Sequence, residues 1–169
     1  MLLDLIFKVR RNIKRTYYTF LAMRRLKSFK GRPYINGKTK FTKNTHIGNN
    51  CHFNGLNIRG KGIVTIGNNF HSGDGCLFIT DIHNYNGRAL PYDDTYIIKN
   101  IFIGDNVWIG TNVTILGGVT IQEGAIIQAG SVVVSDIPKC AIAGGHPAKP
   151  FSIRDVESYH KLNALKKYY

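Results

Sequence analysis

A β-solenoid is the fold class this sequence predicts, and three observations predict it. The first is a period of six: Ile97, Ile103, Ile109, Ile115, Ile121, Ile127 and Val133 stand six residues apart. The second is a companion register four places on, apolar or small throughout, at Ile101, Val107, Val113, Val119, Ala125, Ser131 and Ile137. The third is a glycine directly after the repeated isoleucine, in Ile47-Gly48, Ile66-Gly67, Ile103-Gly104 and Ile109-Gly110. A period of six fits neither an amphipathic helix nor a strand that simply alternates. It fits a chain that coils on itself, each coil covering the apolar edge of the one before. Three hexads give three flat sides, so about eighteen residues close one triangular coil of a parallel β-helix, and coils stack about 4.8 Å apart as neighbouring strands do.

The elements follow in order. Over residues 2–21, Leu2, Ile6, Val9, Ile13, Tyr17 and Phe20 recur at three- and four-residue steps, which predicts an amphipathic helix. Lys8, Arg10, Arg11, Lys14 and Arg15 fill the intervening faces. Such a helix can pack on the body or on a neighbouring subunit and leave a solvated basic face. Alternatively, residues 1–30 can lie against anionic membrane lipid. Ser28 to Tyr34 read as the linker that ends an N-terminal arm, residues 1–34. The solenoid is expected over 35–150. It opens with Ile35, Phe41, Ile47 and Phe53 at six-residue steps, and the Gly-rich stretch 54–65 predicts a slip of phase. A strand follows at Cys76 to Thr80.

Then the period breaks, at Asp81 to Tyr96 (DIHNYNGRALPYDDTY). An insertion of this length in a repeat is disordered or functional, and solenoids carry insertions on a binding face. The repeat ends at Ser135-Asp136-Ile137-Pro138. Ser152-Ile153-Arg154-Asp155 resembles a capping box, which predicts a helix over 153–167 within the C-terminal segment 151–169. That helix would shield the open edge of the last coil.

Composition bounds the function. One domain is expected from 169 residues, and 43% hydrophobic with 20% charged residues marks a globular chain. The net charge of +13 is not spread evenly: residues 1–40 hold twelve Lys/Arg against one acid, residues 41–169 eleven against nine. The basicity belongs to the arm, so nucleic acid is not the expected partner of the body. Cys51, Cys76 and Cys140 show no CxxC spacing and read as reduced, buried thiols of a cytoplasmic protein. The apolar start is interrupted by Asp4 and followed by bases, the reverse of a signal peptide, and no run approaches the ~18 apolar residues of a membrane span. A cytoplasmic chain, peripheral at the inner membrane face if the arm meets lipid, is expected.

The block IGDNVWIGTNVTILGGVTIQEGAIIQAGSVVVSDIP, ending in GHPAKP at Pro150, resembles the hexapeptide-repeat acyltransferases. Within them it is most similar to the maltose/galactoside and sugar O-acetyltransferase branch, strongly over 66–154 and weakly over 35–65. The resemblance implies a left-handed parallel β-helix, against the usual right-handed crossover. It also implies a homotrimer with active sites between subunits, and acetyl-CoA as co-substrate with no metal. The expected reaction is O-acetylation of a carbohydrate acceptor, a hydroxyl of a bacterial surface polysaccharide or its precursor.

The resemblance assigns the general base to the loop histidine, which is His83 here, and the chemistry agrees. An alcohol is a poor nucleophile towards a thioester unless its proton is removed as the bond forms, and imidazole suits that task at neutral pH. His71 is the next candidate. Asp81 could orient His83 or merely cap the loop, and Asn84 and Tyr85 would flank an acceptor. For the donor, Trp108 of the V-W-I-G motif would wall the cleft beside the histidine or else serve as an interface aromatic. Thr111, Ala129 and Gly130 match small positions laid against pantetheine, and Lys149 and Arg154 match bases that meet CoA phosphates.

Two departures stand out. Pro150-Phe151-Ser152 follows the P-A-K motif where relatives often place an arginine, and D-I-H-N-Y replaces the T-H-P form, which points to a different acceptor. Rival readings are N-acetylation of an amino sugar or xenobiotic amine, serine acetylation, a non-catalytic binding solenoid, and a γ-type carbonic anhydrase. The last needs three converging histidines.

Overall fold

The computed structural model describes residues 2–169 as a three-sided parallel β-solenoid with a helix near each terminus. The five-stranded first face holds Ser28–Phe29, Thr45–Ile47, Val64–Ile66, Ile101–Ile103 and Thr120–Ile121. The second face runs from Tyr34–Ile35 through His52–Phe53, His71–Ser72, Trp108–Ile109 and Ile126–Ile127 to Ala141–Gly145. The third holds Asn57–Arg59, Leu77–Ile79, Thr114–Leu116 and Val132–Val133.

The six-residue period becomes three inward ladders. Ile47, Ile66, Ile103 and Ile121 stack in register on the first face. Ile35, Phe53, Ser72, Ile109, Ile127 and Ala143 do so on the second, and Ile58, Phe78, Ile115 and Val133 on the third. All of them are buried, and so is the companion register from Ile101 to Ile137. Ile97 departs from the pattern. It is in phase by sequence but pairs with Ile82 in a hairpin outside the coil.

Corners explain the glycines. A Cβ on Gly48 would lie 2.6 Å from the Gly67 carbonyl carbon, and one on Gly104 would lie 2.6 Å from the Glu123 nitrogen. Coils this close leave no room for a side chain. At the same corner the chain turns through positive φ at Asn50, Asn69 and Asn106, a region asparagine tolerates better than most residues. Their amides form a ladder, Asn50 Nδ2 donating to Asn69 Oδ1 (3.1 Å) and Asn69 Nδ2 to Asn106 Oδ1 (2.8 Å).

Both ends differ from the sequence reading. The expected linker 28–34 is already part of the solenoid, since Ser28 and Phe29 pair with His46 and Ile47. The last coil is closed on its second face by a strand the sequence did not announce. Ala148–Ile153 turns back antiparallel onto Ala141–Gly145. Ser152 lies in that strand, so it cannot cap a helix. Asp155 is the cap, accepting from Ser158 N (3.0 Å), and helix α2 spans Val156–Ala164. It lies beside the asparagine corner, with buried Tyr159 accepting from Asn106 Nδ2 (2.8 Å) and donating to Glu123 Oε1.

The first coil is covered by helix α1, Leu2–Met23. It docks through Tyr18, Thr19 and Ala22, with the Arg15 guanidinium 5.6 Å from the centre of the Tyr34 ring. Its apolar stripe does not face the body: Ile6, Val9, Ile13, Tyr17 and Phe20 are all exposed.

An inward ladder of this kind has no second layer to absorb a lost side chain. Ile115→Ala should cost about 2–5 kcal/mol in chemical denaturation, against less than about 0.5 kcal/mol for an exposed change such as Ser135→Ala.

Candidate active site

The insertion is ordered around a hairpin. Asp81–His83 pairs antiparallel with Tyr96–Ile98, His83 opposite Tyr96. It leaves the corner between the third and first faces, where Thr80 Oγ1 donates to Arg59 O (2.9 Å) and accepts from Gly62 N (3.0 Å). Beyond it the loop folds on Asp93, whose carboxylate accepts from Arg88 N (3.0 Å) and Thr95 N (2.9 Å). The hydrogen bond from the Thr95 hydroxyl, together with these two, holds the Asp93 carboxyl below the usual carboxylate range.

His83 is exposed, and aromatic stacking sets its position. Its ring lies 3.9 Å from that of Tyr92 at 15° and 4.7 Å from that of Tyr96 at 33°. Neither tyrosine stood out in the sequence, because their contact with His83 depends on hairpin register. Lys61 Nζ lies 4.6 Å from the centre of the Tyr96 ring.

The other acceptor-side candidates serve the loop. Asp81 Oδ2 accepts from Lys61 N (3.1 Å), so its carboxylate caps the preceding coil. Asn84 Nδ2 donates to Thr95 Oγ1 (3.1 Å), and Asn84 Oδ1 accepts from Asn86 N (3.1 Å). Tyr85 is exposed beside them.

The donor-side candidates fall into two groups away from His83. Thr111, Ala129 and Gly130 line the corner between the second and third faces, with Gly130 N donating to Thr111 O (2.8 Å). Nothing lies within 4 Å of where a Cβ on Gly130 would stand, so this edge is open. Lys149 is exposed on the returning strand, opposite Gly144.

Trp108 lies on the outside of the second face, in register with His71 and Ile126. With Tyr159, Arg154 and Tyr169 it lines a cavity of about 330 Å³. Arg154 Nη1 donates to Gly124 O (3.0 Å) and its guanidinium lies 4.9 Å from the centre of the Tyr159 ring, contacts that fasten α2. Trp108 thus stands on the face opposite the corner that carries His83, and does not wall a cleft beside it within one chain.

His71, the second histidine candidate, belongs to an aromatic column on that same face. Its ring stacks on His52 at 4.2 Å, and His52 stacks on Tyr34 at 4.3 Å. Burial lowers the affinity of both for a proton, and the like charges of His71 and Arg15 help bring His52 down to about 4. Among the described residues, no three His, Cys, Asp or Glu side chains come together as metal ligands would.

The comparisons set this three-sided solenoid among the transferases. The model for the bacterial transferase hexapeptide (six repeats) matches residues 100–135. A galactoside acetyltransferase in complex with coenzyme A is 29% identical with a TM-score of 0.68, over 78% of this chain and 67% of that one. A hexapeptide-repeat acetyltransferase from Vibrio cholerae is 31% identical with a TM-score of 0.61, over 76% and 73%. A second structure of the Vibrio protein holds acetyl coenzyme A (31% identity, TM-score 0.59, 68% and 63%). A maltose O-acetyltransferase from Clostridium difficile 630 is 25% identical with a TM-score of 0.52, over 75% and 65%. The chain thus spans between 63% and 73% of the length of these proteins. A search of curated protein sequences gave no match. The chain belongs to the hexapeptide-repeat acyltransferases, and its enzyme class is that of an acyltransferase.

The histidine column makes a pH prediction. A depressed folded-state value means the unfolded chain binds the proton more readily, so stability holds above the ordinary histidine range near ~6.5 and falls as pH drops towards 4. The melting temperature should decline over that interval, and His52→Phe, which keeps the stack, should flatten the decline. An unchanged slope would show that this column does not set the acid limit.

Proposed function

We propose that this acyltransferase moves an acetyl group from acetyl-CoA to a sugar hydroxyl of a bacterial surface polysaccharide or its precursor, with His83 as general base. The observation that carries the reading is the pair of tyrosines around His83. They fix an exposed imidazole at the end of a short hairpin, and Tyr85, Tyr92 and Tyr96 of the same insertion are exposed as well. Aromatic faces with polar tips suit a sugar ring, which is apolar on its C–H face and hydroxylated at its rim.

In the reaction the acceptor oxygen attacks the thioester carbonyl carbon while its proton passes to a nitrogen of His83. The tetrahedral intermediate collapses, the C–S bond breaks, and the imidazolium returns the proton to the departing thiolate. His83 is unchanged, and an ester and a free thiol are formed.

Coenzyme A in the galactoside enzyme and acetyl coenzyme A in the Vibrio enzyme support the choice of donor. On this reading pantetheine lies along the open edge of Thr111, Ala129 and Gly130, and Lys149 meets phosphate. Trp108 and His83 lie on opposite sides of the prism, so a cleft that uses both is formed between adjacent copies, in keeping with a homotrimer. An acyl-CoA donor places the work on the cytoplasmic side of the membrane.

His83→Ala should lower kcat by about a hundred- to ten-thousandfold while acetyl-CoA binding, read by calorimetry, stays within about threefold. Loss of donor binding in the variant would reassign His83 to holding the donor, and no binding by the native protein would sink the acetyl-CoA reading. Tyr92→Ala should lower kcat by up to about tenfold, the scale of one aromatic contact, with Tyr92→Phe close to native. Equal losses in both would give the hydroxyl, not the ring, the positioning role.

A further inference from the structure

Helix α1 docks on the first coil with the side that sequence periodicity would have left in solvent. At about 100° per residue, its contact side (Arg15, Tyr18, Thr19, Ala22) and its stripe (Ile6, Val9, Ile13, Tyr17, Phe20) lie about 170° apart. The stripe is therefore turned outward, with Ile6, Ile13 and Phe20 each more than half exposed. Leu3, Phe7 and Leu21 widen it on one side, where exposed Arg10 and Lys14 stand among them and exposed Arg11 follows beyond Phe7. An apolar strip of this length, facing away from its own core, is not an ordinary solvent surface.

Charge decides between occupants. Residues 1–40 carry twelve Lys/Arg against one acid, so whatever covers the stripe meets a single-sign field. A second copy of this chain offers no complement: its own first forty residues repeat the charge, and residues 41–169 are nearly balanced at eleven bases against nine acids. Nucleic acid would answer the charge but leave the isoleucines and valine without partners. An anionic lipid surface answers both, taking the aliphatic and aromatic side chains between acyl chains while the bordering bases reach headgroup phosphates.

We propose that α1 is an interfacial anchor that lies in the plane of an anionic membrane with the stripe of Ile6, Val9, Ile13, Tyr17 and Phe20 inserted. Among the described residues no helix is long and apolar enough to cross a membrane, so the helix lies on the surface and does not span it. The inference does not rest on acyl transfer, and its readout is independent of activity.

The test is co-sedimentation of the full chain with phosphatidylcholine vesicles and with vesicles that also contain phosphatidylglycerol, at low and high salt. The native chain should bind the anionic vesicles at least tenfold more tightly, and high salt should weaken that binding. Ile6→Glu with Ile13→Glu should abolish binding. Arg10→Ser with Arg11→Ser and Lys14→Ser should reduce it at least tenfold. Both variants should keep the native oligomeric mass by light scattering. The proposal is overturned if the native chain ignores anionic vesicles or binds both kinds equally. It is also overturned if the double glutamate variant changes oligomeric mass, which would show that a second copy covers the stripe. Preference for a DNA or RNA duplex over anionic vesicles in a competition assay would overturn it too.

Discussion

Close stacking of coils at the glycine corners is the constraint on which the rest of the molecule depends. Where Gly48, Gly67 and Gly104 let one corner rest on the next, the inward isoleucines fall into register and each buries its neighbours. A solenoid has no contacts beyond adjacent coils, so this repeated step is nearly its whole source of cohesion. A coil that packed a side chain at the corner would tilt, and the inward ladders of all three faces would lose contact together. The asparagine ladder adds direction to the same step. Asn50, Asn69 and Asn106 accept the left-handed backbone and join their amides across coils, so the turn is fixed by the groups that satisfy it.

Such a body is rigid but filled, with no room for a substrate inside the prism. Function has to sit on the outside, at edges and insertions. The hairpin at Asp81–His83 breaks the period with an ordered excursion, and its order comes from local chemistry, chiefly the Asp93 carboxylate and the Tyr92 and Tyr96 rings. The histidine is thereby held by a small structure that can vary without disturbing the coil. On the function proposed above, this separation lets one frame serve many acceptors, because the donor edge belongs to the coil and the acceptor groups belong to the loop.

Much of this was legible in the sequence because the period of six is a direct image of the three faces. The repeat alone places Ile103 to Val133 inward, and likewise Ile35, Phe41, Ile47 and Phe53. The failures have physical reasons. Ile97 kept the phase but left the coil, since phase records spacing and not which strand a residue pairs with. Ala148–Ile153 was hidden because Pro147 and Pro150 obscure a strand pattern, and its partner runs antiparallel in an otherwise parallel body. The cap moved from Ser152 to Asp155 for that same reason. Of the site, His83 was visible as an isolated imidazole in an insertion. Tyr92 and Tyr96 were not, because a stack across a hairpin is set by register. The aromatic column of Tyr34, His52 and His71 likewise emerges only when coils of 18 and 19 residues are superposed.

The orientation of α1 is the feature that sequence periodicity misplaces most usefully. An amphipathic stripe ordinarily marks the side that meets the core, yet here the docking side is built from Arg15, Thr19 and Ala22. Small and polar groups suffice because the open first coil needs only a cover, and Ala22 with Tyr18 and Leu26 supplies one against its apolar edge. The larger apolar side is thus spare to the fold. A helix bound at the first coil also fixes a distance to the chemistry. The hairpin leaves the third coil, and two strand spacings amount to about 10 Å. If α1 lies in a membrane surface, its own width of about 10 Å adds to those two spacings, so the hairpin coil would stand about 20 Å above the surface, within reach of a sugar that projects from a lipid. The arm and the insertion, the two departures from the repeat, would then act on the same acceptor.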